Sequence, residues 1–413
     1  MSHAPAQAAV IAAVRRSYGK LVAFLAARTR DVAAAEDALA AAVEAALRDW
    51  PLHGVPANPE AWLLTAARRQ AIDAARRQRT QDDAVPDLLL LTDELSDASD
   101  QRAIPDDRLL LLFACAHPAI ERSVRAPLML QTVLGFDAAS IASAFLVAPA
   151  TMGQRLVRAK AKIKQAGIPF RLPEHEDLAE RLDSVLEAIY ACFSEGWADP
   201  VGSEARRRNL AEEGLWLGHL VVTLLPDAPE ALGLLALMLH AQSRSSARRD
   251  AAGAYVPLAE QDPAAWHSTL IAQAETLLLR ASRMGSIGRY QLEAAIQSAH
   301  VTPRLEGRSA DWPAIVRLYD ALLALTGSPV VAINRAVAIA ETEGAAAGLA
   351  ALDVWADDAR LAEYQPYWAA RAGLLARNGR SAEADAAYVR AIGLEPDPAV
   401  RRFLQERREA APR

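Results

Sequence analysis

The chain has 413 residues, of which 52% are hydrophobic and 23% charged, with a formal net charge of -6. That length predicts two or three domains, and two cysteines, Cys115 and Cys192, are too few for a disulfide-stapled secreted scaffold. The N-terminal stretch lacks a basic segment followed by a long apolar one, and no uncharged apolar run of about 18 residues occurs. Composition therefore points to a cytoplasmic protein with no signal peptide and no membrane span.

Nearly the whole chain reads as helix, because Ala and Leu dominate and apolar residues recur at three- and four-residue spacing. The first helix carries Val14, Tyr18, Leu21, Val22 and Leu25 on one stripe. A second is predicted over residues 32–50, with Asp31 as its N-cap. Pro51, Gly54, Pro56 and Pro59 then predict a loop, and a third helix runs from Pro59, suited to a first helical turn, toward Arg79. Residues 81–107 read as an acidic linker with a short apolar centre. Residues 108–167 form a compact helical unit that ends in helix, short helix, a tight turn at Ala148 and Pro149, and a last helix. That order is a helix-turn-helix, with Asp137 capping the middle helix and Ile141, Ala142 and Phe145 on its buried face.

Charge is segregated along this part of the chain. Residues 1–80 hold 11 Lys/Arg against 7 Asp/Glu, and residues 81–107 hold 1 Arg against 9 acids. The last helix, "PATMGQRLVRAKAKIKQAG", has five basic residues and no acid. Met152, Leu156, Ala159 and Ile163 make its predicted buried stripe. Arg155, Arg158 and Lys162 share another face, with Lys160 and Lys164 at its margin. A merely solvated helix mixes signs for i,i+4 pairing; this one does not, and as the second element of a helix-turn-helix it places Gln154, Arg155 and Arg158 near bases or phosphates. The third helix adds Arg68, Arg69, Arg76, Arg77 and Arg79 against Asp73. Trp50 and Trp62 flank the Pro-rich loop, where aromatics suit stacking on unpaired bases; core packing is the stronger reading for Trp62.

From about Pro173 onward the chain is a larger helical region. Counting from Gln365, Trp368, Ala372, Ala384, Tyr388, Ala391 and Pro396 fall on the small and aromatic positions of a tetratricopeptide repeat, and 34 residues upstream Ala338 and Ala350 occupy its eighth and twentieth positions.

No catalytic constellation appears. His3, His53, His117, His175, His219, His240, His267 and His300 have no metal-ligand spacing, and neither phosphate-binding Gly-rich signature is present. Cys115 and His117 read as core, and no cofactor, metal or enzymatic activity is expected. The residues by themselves leave two readings open: a helix-turn-helix regulator of duplex DNA, and a repeat scaffold that binds peptides.

Three ordered motifs carry a resemblance to one family. "NPEAWLLTAARRQAIDAARRQR" resembles the promoter -10 recognition part of bacterial extracytoplasmic-function (ECF) RNA polymerase sigma factors, and "DVAAAEDALAAAVEAALRDW" is similar to their polymerase-binding helix. "FDAASIASAFLVAPATMGQRLVRAKAKI" resembles their -35-reading helix-turn-helix. The helical tail resembles the subgroup with a tetratricopeptide-like C-terminal extension. The resemblance implies an all-α chain with sigma region 2 at residues 8–80, an acidic linker at 81–107, sigma region 4 at 108–168 and a helical TPR-like domain at 173–413.

It also implies partners and residues. Asp31, Glu36, Asp37, Leu39 and Val43 would face the β' clamp helices of core RNA polymerase, with the β flap a second expected contact. Trp50, His53, Asn58, Trp62, Arg68, Arg69, Arg76, Arg77 and Arg79 would meet the -10 element, the loop between Trp50 and Pro59 holding a flipped base with His53 at its pocket. Thr151, Gln154, Arg155, Arg158, Lys160 and Lys162 would meet the -35 element. The linker would thread toward the catalytic cleft of the polymerase, and the C-terminal domain would take a protein or peptide partner, or dock on the promoter-binding domains and regulate them. Four positions depart from the family pattern: Ala40 for Gln, Arg69 for Asn, Ser140 for Glu, and Gly153 for a basic residue.

Overall fold

The computed structural model describes residues 3–79, 104–145, 147–197 and 205–411. Among these the architecture is all-α, and the one β feature is an isolated antiparallel bridge between Arg249 and Tyr255. The chain divides into two compact units, Met1–Leu217 and Gly218–Arg413.

The first unit is organised by α1 (His3–Thr29). The sequence pattern gave this helix a single apolar stripe, yet every residue from Leu21 to Ala26 is at most 2% exposed. A helix apolar on all sides must be covered on all sides. On one flank α2 (Val32–His53) and α3 (Pro59–Arg79) pack against it; on the other lie α4 (Arg108–Cys115) and α5 (Arg122–Leu134). Gly19 permits the approach of α5, since a Cβ there would sit 2.0 Å from the Val133 carbonyl oxygen. The segments expected as separate promoter-binding domains are therefore parts of one unit. Most of the linker between them, residues 80–103, lies outside the described residues.

Local signals act largely as expected. The Asp31 carboxylate accepts the Ala34 N–H at 3.0 Å and starts α2. The helix runs three residues beyond its predicted end, through Pro51 to His53, before Gly54 at φ 90° stops it. Proline removes one N–H donor without ending the helix here, and the Gly54 N–H bonds the Trp50 carbonyl at 2.9 Å. Asp137 caps α6 (Ala138–Ala144) by accepting the Ser140 N–H at 2.8 Å, and Pro149 opens α7 (Pro149–Gln165). After Gly167 comes α8 (His175–Trp197), which packs on α4 and α5. Arg181 donates to the Phe113 carbonyl at 2.8 Å, and Arg122 pairs with Glu187. The first compact unit thus continues past the boundary expected near residue 173 and ends within α9 (Ala205–Leu224).

In the second unit α10 (Pro229–Gln242) is the central helix, buried from Ala231 to His240 between α11 (Ser268–Ser282) and α12 (Arg289–Leu305). Then follow α13 (Trp312–Thr326), α14 (Pro329–Glu343), α15 (Ala345–Asp353), α16 (Gln365–Arg377), α17 (Ser381–Leu394) and α18 (Pro398–Glu409). The pair α16 and α17 buries Ala372, Ala384, Tyr388 and Ala391 in one cluster with Trp368 packed against it. Upstream the register slips: Ala338 is buried, Ala350 is exposed, and Gly348 takes the close-packing position instead. The connections explain the slip. Residues 378–380 join α16 to α17, whereas Gly344 alone joins α14 to α15, which shortens that pair by two residues.

Gly19→Ala is expected to destabilise the first unit by about 3 kcal/mol, because a backbone oxygen cannot move aside cheaply. Gly153→Ala, in α7 with nothing near its added methyl, is expected to stabilise by up to about 1 kcal/mol. Thermal unfolding of the two variants checks both signs.

Candidate nucleic-acid and polymerase interface

The acid-free helix α7 buries Met152, Leu156, Ala159 and Ile163, the stripe its spacing predicted. Thr151, Gln154, Arg158 and Lys162 are exposed and Arg155 is half-buried, so these five lie on or beside the surface the helix leaves open. Arg158 Nε also donates to the Gln154 carbonyl at 3.3 Å, which lays the guanidinium along the helix. Lys160 departs from this set. Its side chain is 12% exposed and its Nζ lies 2.6 Å from Glu36 Oε2 on α2. One turn on, Lys164 Nζ lies 2.8 Å from Asp31 Oδ2.

The residues expected to face polymerase separate in the same way. Asp37 is exposed and Val43 half-buried, while Leu39 is 1% exposed and belongs to the core of α2. With Asp37, Ala40, Glu44 and Leu47 form the open face of α2 at helical spacing. Asp31 and Glu36 are turned toward α7. Burial pushes the Glu36 carboxyl above the usual range, opposed by the Lys160 ammonium. Burial acts upward on Asp31 as well, but the Ala34 N–H and Lys164 outweigh it and hold that carboxyl low. Tyr18 on α1 donates to Glu36 Oε1 at 3.5 Å, and burial together with that carboxylate raises its phenol. Sequence reading missed Tyr18 as a polar residue of the site, since its place in an apolar stripe marks it only as core.

The residues expected at the -10 element divide into an exposed loop and a buried floor. His53 is exposed and its Nδ1 sits 2.8 Å from Asp49 Oδ1, both on α2. Asn58 is exposed but occupied, its Oδ1 accepting the Ala61 N–H at 3.1 Å at the start of α3. Leu52 at the end of α2 and Val55 in the loop after it, which carried no sequence signal, are 73% and 44% exposed. Trp50 is a correction: it is 1% exposed, edge-on to the half-buried Trp62 at 5.6 Å, and unavailable for stacking on a base. Its apolar neighbours on α2 at i-4 and i-8, Ala46 and Ala42, share its buried face. Arg68 is a second correction. It is 7% exposed, with its guanidinium 5.0 Å from the Phe24 ring centroid, and burial beside Arg28 lowers its pKa. Arg69 is exposed. The side chains of Arg76, Arg77 and Arg79 lie outside the described residues, although their backbone completes α3.

Among the described residues no cluster of His, Cys, Asp and Glu is arranged to hold a metal ion. Cys115 is fully buried beside the Thr132 hydroxyl at 3.4 Å, and burial pushes its thiol up to about 12, away from nucleophilic use. Among the described residues no helix is long and apolar enough to cross a membrane.

Comparison with known proteins bears on the same helices. Residues 13–81, which span α1 to α3, match the Sigma-70 region 2 family. Residues 181–282, from α8 to α11, match a family of unknown function, DUF6596. The chain is 40% identical over 392 residues to the uncharacterized protein R00370 of Rhizobium meliloti (strain 1021), covering 94% of this chain and 91% of that protein. No solved structure matches the chain. The chain belongs to the family of the Rhizobium protein, and its N-terminal part is a Sigma-70 region 2 domain, which supports a sigma-factor role in transcription initiation.

Trp50→Ala is expected to cost about 3–5 kcal/mol as a core truncation, whereas His53→Ala and Leu52→Ala are expected to stay within about 0.5 kcal/mol. Asp31→Ala is expected to cost about 1 kcal/mol through the lost cap, most of which Asp31→Asn restores. Denaturant unfolding midpoints separate these cases.

Proposed function

We propose that this protein is an ECF-type sigma factor acting in the cytoplasm, which recruits core RNA polymerase to a promoter and stabilises the opened -10 bases. The observation that carries the reading is the Sigma-70 region 2 match over α1 to α3, with an acid-free basic helix in the same compact unit. In this reading the open face of α2, with Asp37 at its centre, meets the β' clamp helices. The helix-turn-helix of α6 and α7 meets the -35 duplex and the β flap. Thr151, Gln154, Arg155, Arg158 and Lys162 supply base and phosphate contacts; a base-reading arginine contributes about 1–3 kcal/mol of discrimination. The end of α2 and the loop at residues 54–58 take the flipped -10 base against His53, Leu52 and Val55, with Arg69, Arg76, Arg77 and Arg79 along its phosphates. The protein acts by binding and needs no cofactor.

The C-terminal helices belong to this reading as a regulatory, TPR-like extension with a protein or peptide partner. Stacked helix pairs with small residues at their contacts, as at Ala372, Ala384 and Ala391, support it. Cutting at Arg171 would strip α8 from α4 and α5, so a truncation that tests the extension belongs after α9.

Transcription reconstituted from core polymerase and genomic promoter fragments tests the reading. Full-length protein is expected to support specific initiation. Asp37→Arg is expected to weaken co-purification with core polymerase while the fold persists. Arg158→Ala is expected to lower promoter affinity by roughly ten-fold. A protein that binds duplex DNA but never makes core polymerase initiate would be a helix-turn-helix regulator instead.

A further inference from the structure

The ion pairs between α2 and α7 tie together two surfaces that the proposed function uses separately. Lys160 and Lys164 stand one turn apart on α7, opposite Glu36 and Asp31 at the beginning of α2, so both pairs form in one register. The Lys160 and Glu36 side chains are 12% and 13% exposed. Tyr18 from α1 closes the acid from the other side. Beneath the pairs the apolar stripe of α7 packs on α2, α5 and α6, so the contact is continuous rather than a single surface bridge.

From this geometry we propose that the free protein is held closed by a charge clasp, in which α7 occupies the acidic beginning of α2 and bars core polymerase from it. The proposal rests on the sigma-factor reading, because that reading supplies the partner whose access is blocked. Its physical basis is competition for the same charges. A polymerase surface that pairs with Asp31 and Glu36 has to displace Lys160 and Lys164, and DNA phosphates that take up the two lysines free the two acids. The closed state is a real alternative because its charges are paired: removing one partner leaves the other half-buried and uncompensated, a larger loss than that of an exposed bridge. Two ligands that both favour the open state then bind cooperatively, and by linkage each raises the affinity of the other by the same factor.

The test uses the full-length chain with fluorophores on Val157→Cys in α7 and Leu52→Cys at the end of α2, both exposed, while the native cysteines are buried. Lys160→Gln and Lys164→Gln are expected to lengthen the inter-probe distance. Without any DNA, so that a lysine's own phosphate contact plays no part, both are expected to bind bacterial core RNA polymerase roughly five-fold tighter than wild type. Lys160→Glu is expected to open the clasp further, and adding Glu36→Lys to it is expected to restore the short distance, which a general loss of folding would not do. An unchanged distance in Lys160→Glu overturns the clasp. Lengthened distance with wild-type core affinity overturns the blocking role. Opening with no core binding in any form of the protein leaves the clasp standing and refutes the sigma-factor reading beneath it.

Discussion

The first unit depends on the burial of one helix. Residues 21–26 of α1 have no solvent-facing side, and each large apolar side chain among them gains about 1.5–3 kcal/mol on leaving water. Helices α2 and α3 cover only part of that surface; α4 and α5 cover the rest, and Gly19 lets the α5 backbone come close enough to do so. Arg28 secures the seam, donating to its own helix at the Phe24 carbonyl and to Asp107 just before α4. The helices on either side of the acidic linker thus belong to one compact unit.

That packing decides which charges are usable. Once α5 lies against α1, α7 comes against α2, and two of the acids and two of the lysines that pattern alone would place at partner surfaces meet each other. The same logic removes Arg68, which stands over Phe24 beside Arg28. Two guanidiniums at one aromatic ring gain from its negative face but repel one another, a balance that fits a structural role better than a DNA-facing one. What stays outward includes Asp37 and Glu44 on α2, Leu52 and His53 at its end, Arg69 on α3, and Thr151, Gln154, Arg158 and Lys162 on α7.

In the second unit close contact between small residues sets the spacing. Gly233 on α10 lies where a Cβ would meet the Gln291 backbone, and the Glu230 carboxylate accepts the Tyr290 and Gln291 N–H groups at 2.9 and 3.1 Å to start α12. Gly348 plays a matching part between α14 and α15, where a Cβ would meet the Ala336 carbonyl oxygen at 2.7 Å. A 34-residue count found the contacts of α16 and α17 and missed this one, because a connection shorter by two residues shifts the register while the packing demand stays the same.

Much of the local structure was legible in the sequence alone. The Asp31 and Asp137 caps, the break at Gly54, and the stripe of Met152, Leu156, Ala159 and Ile163 all follow from side-chain chemistry within a few residues. The all-α class, the basic character of α7 and the resemblance to a sigma factor were legible for the same reason. Tertiary structure alone decided that residues 21–26 of α1 are buried all round, that Trp50 and Leu39 face the core, and that Lys160 faces Glu36. A helical pattern shows which side of a helix is apolar, but not how many neighbours share it. Nor does it show whether a charge at the margin of that side meets solvent, a ligand or an opposite charge 124 residues away.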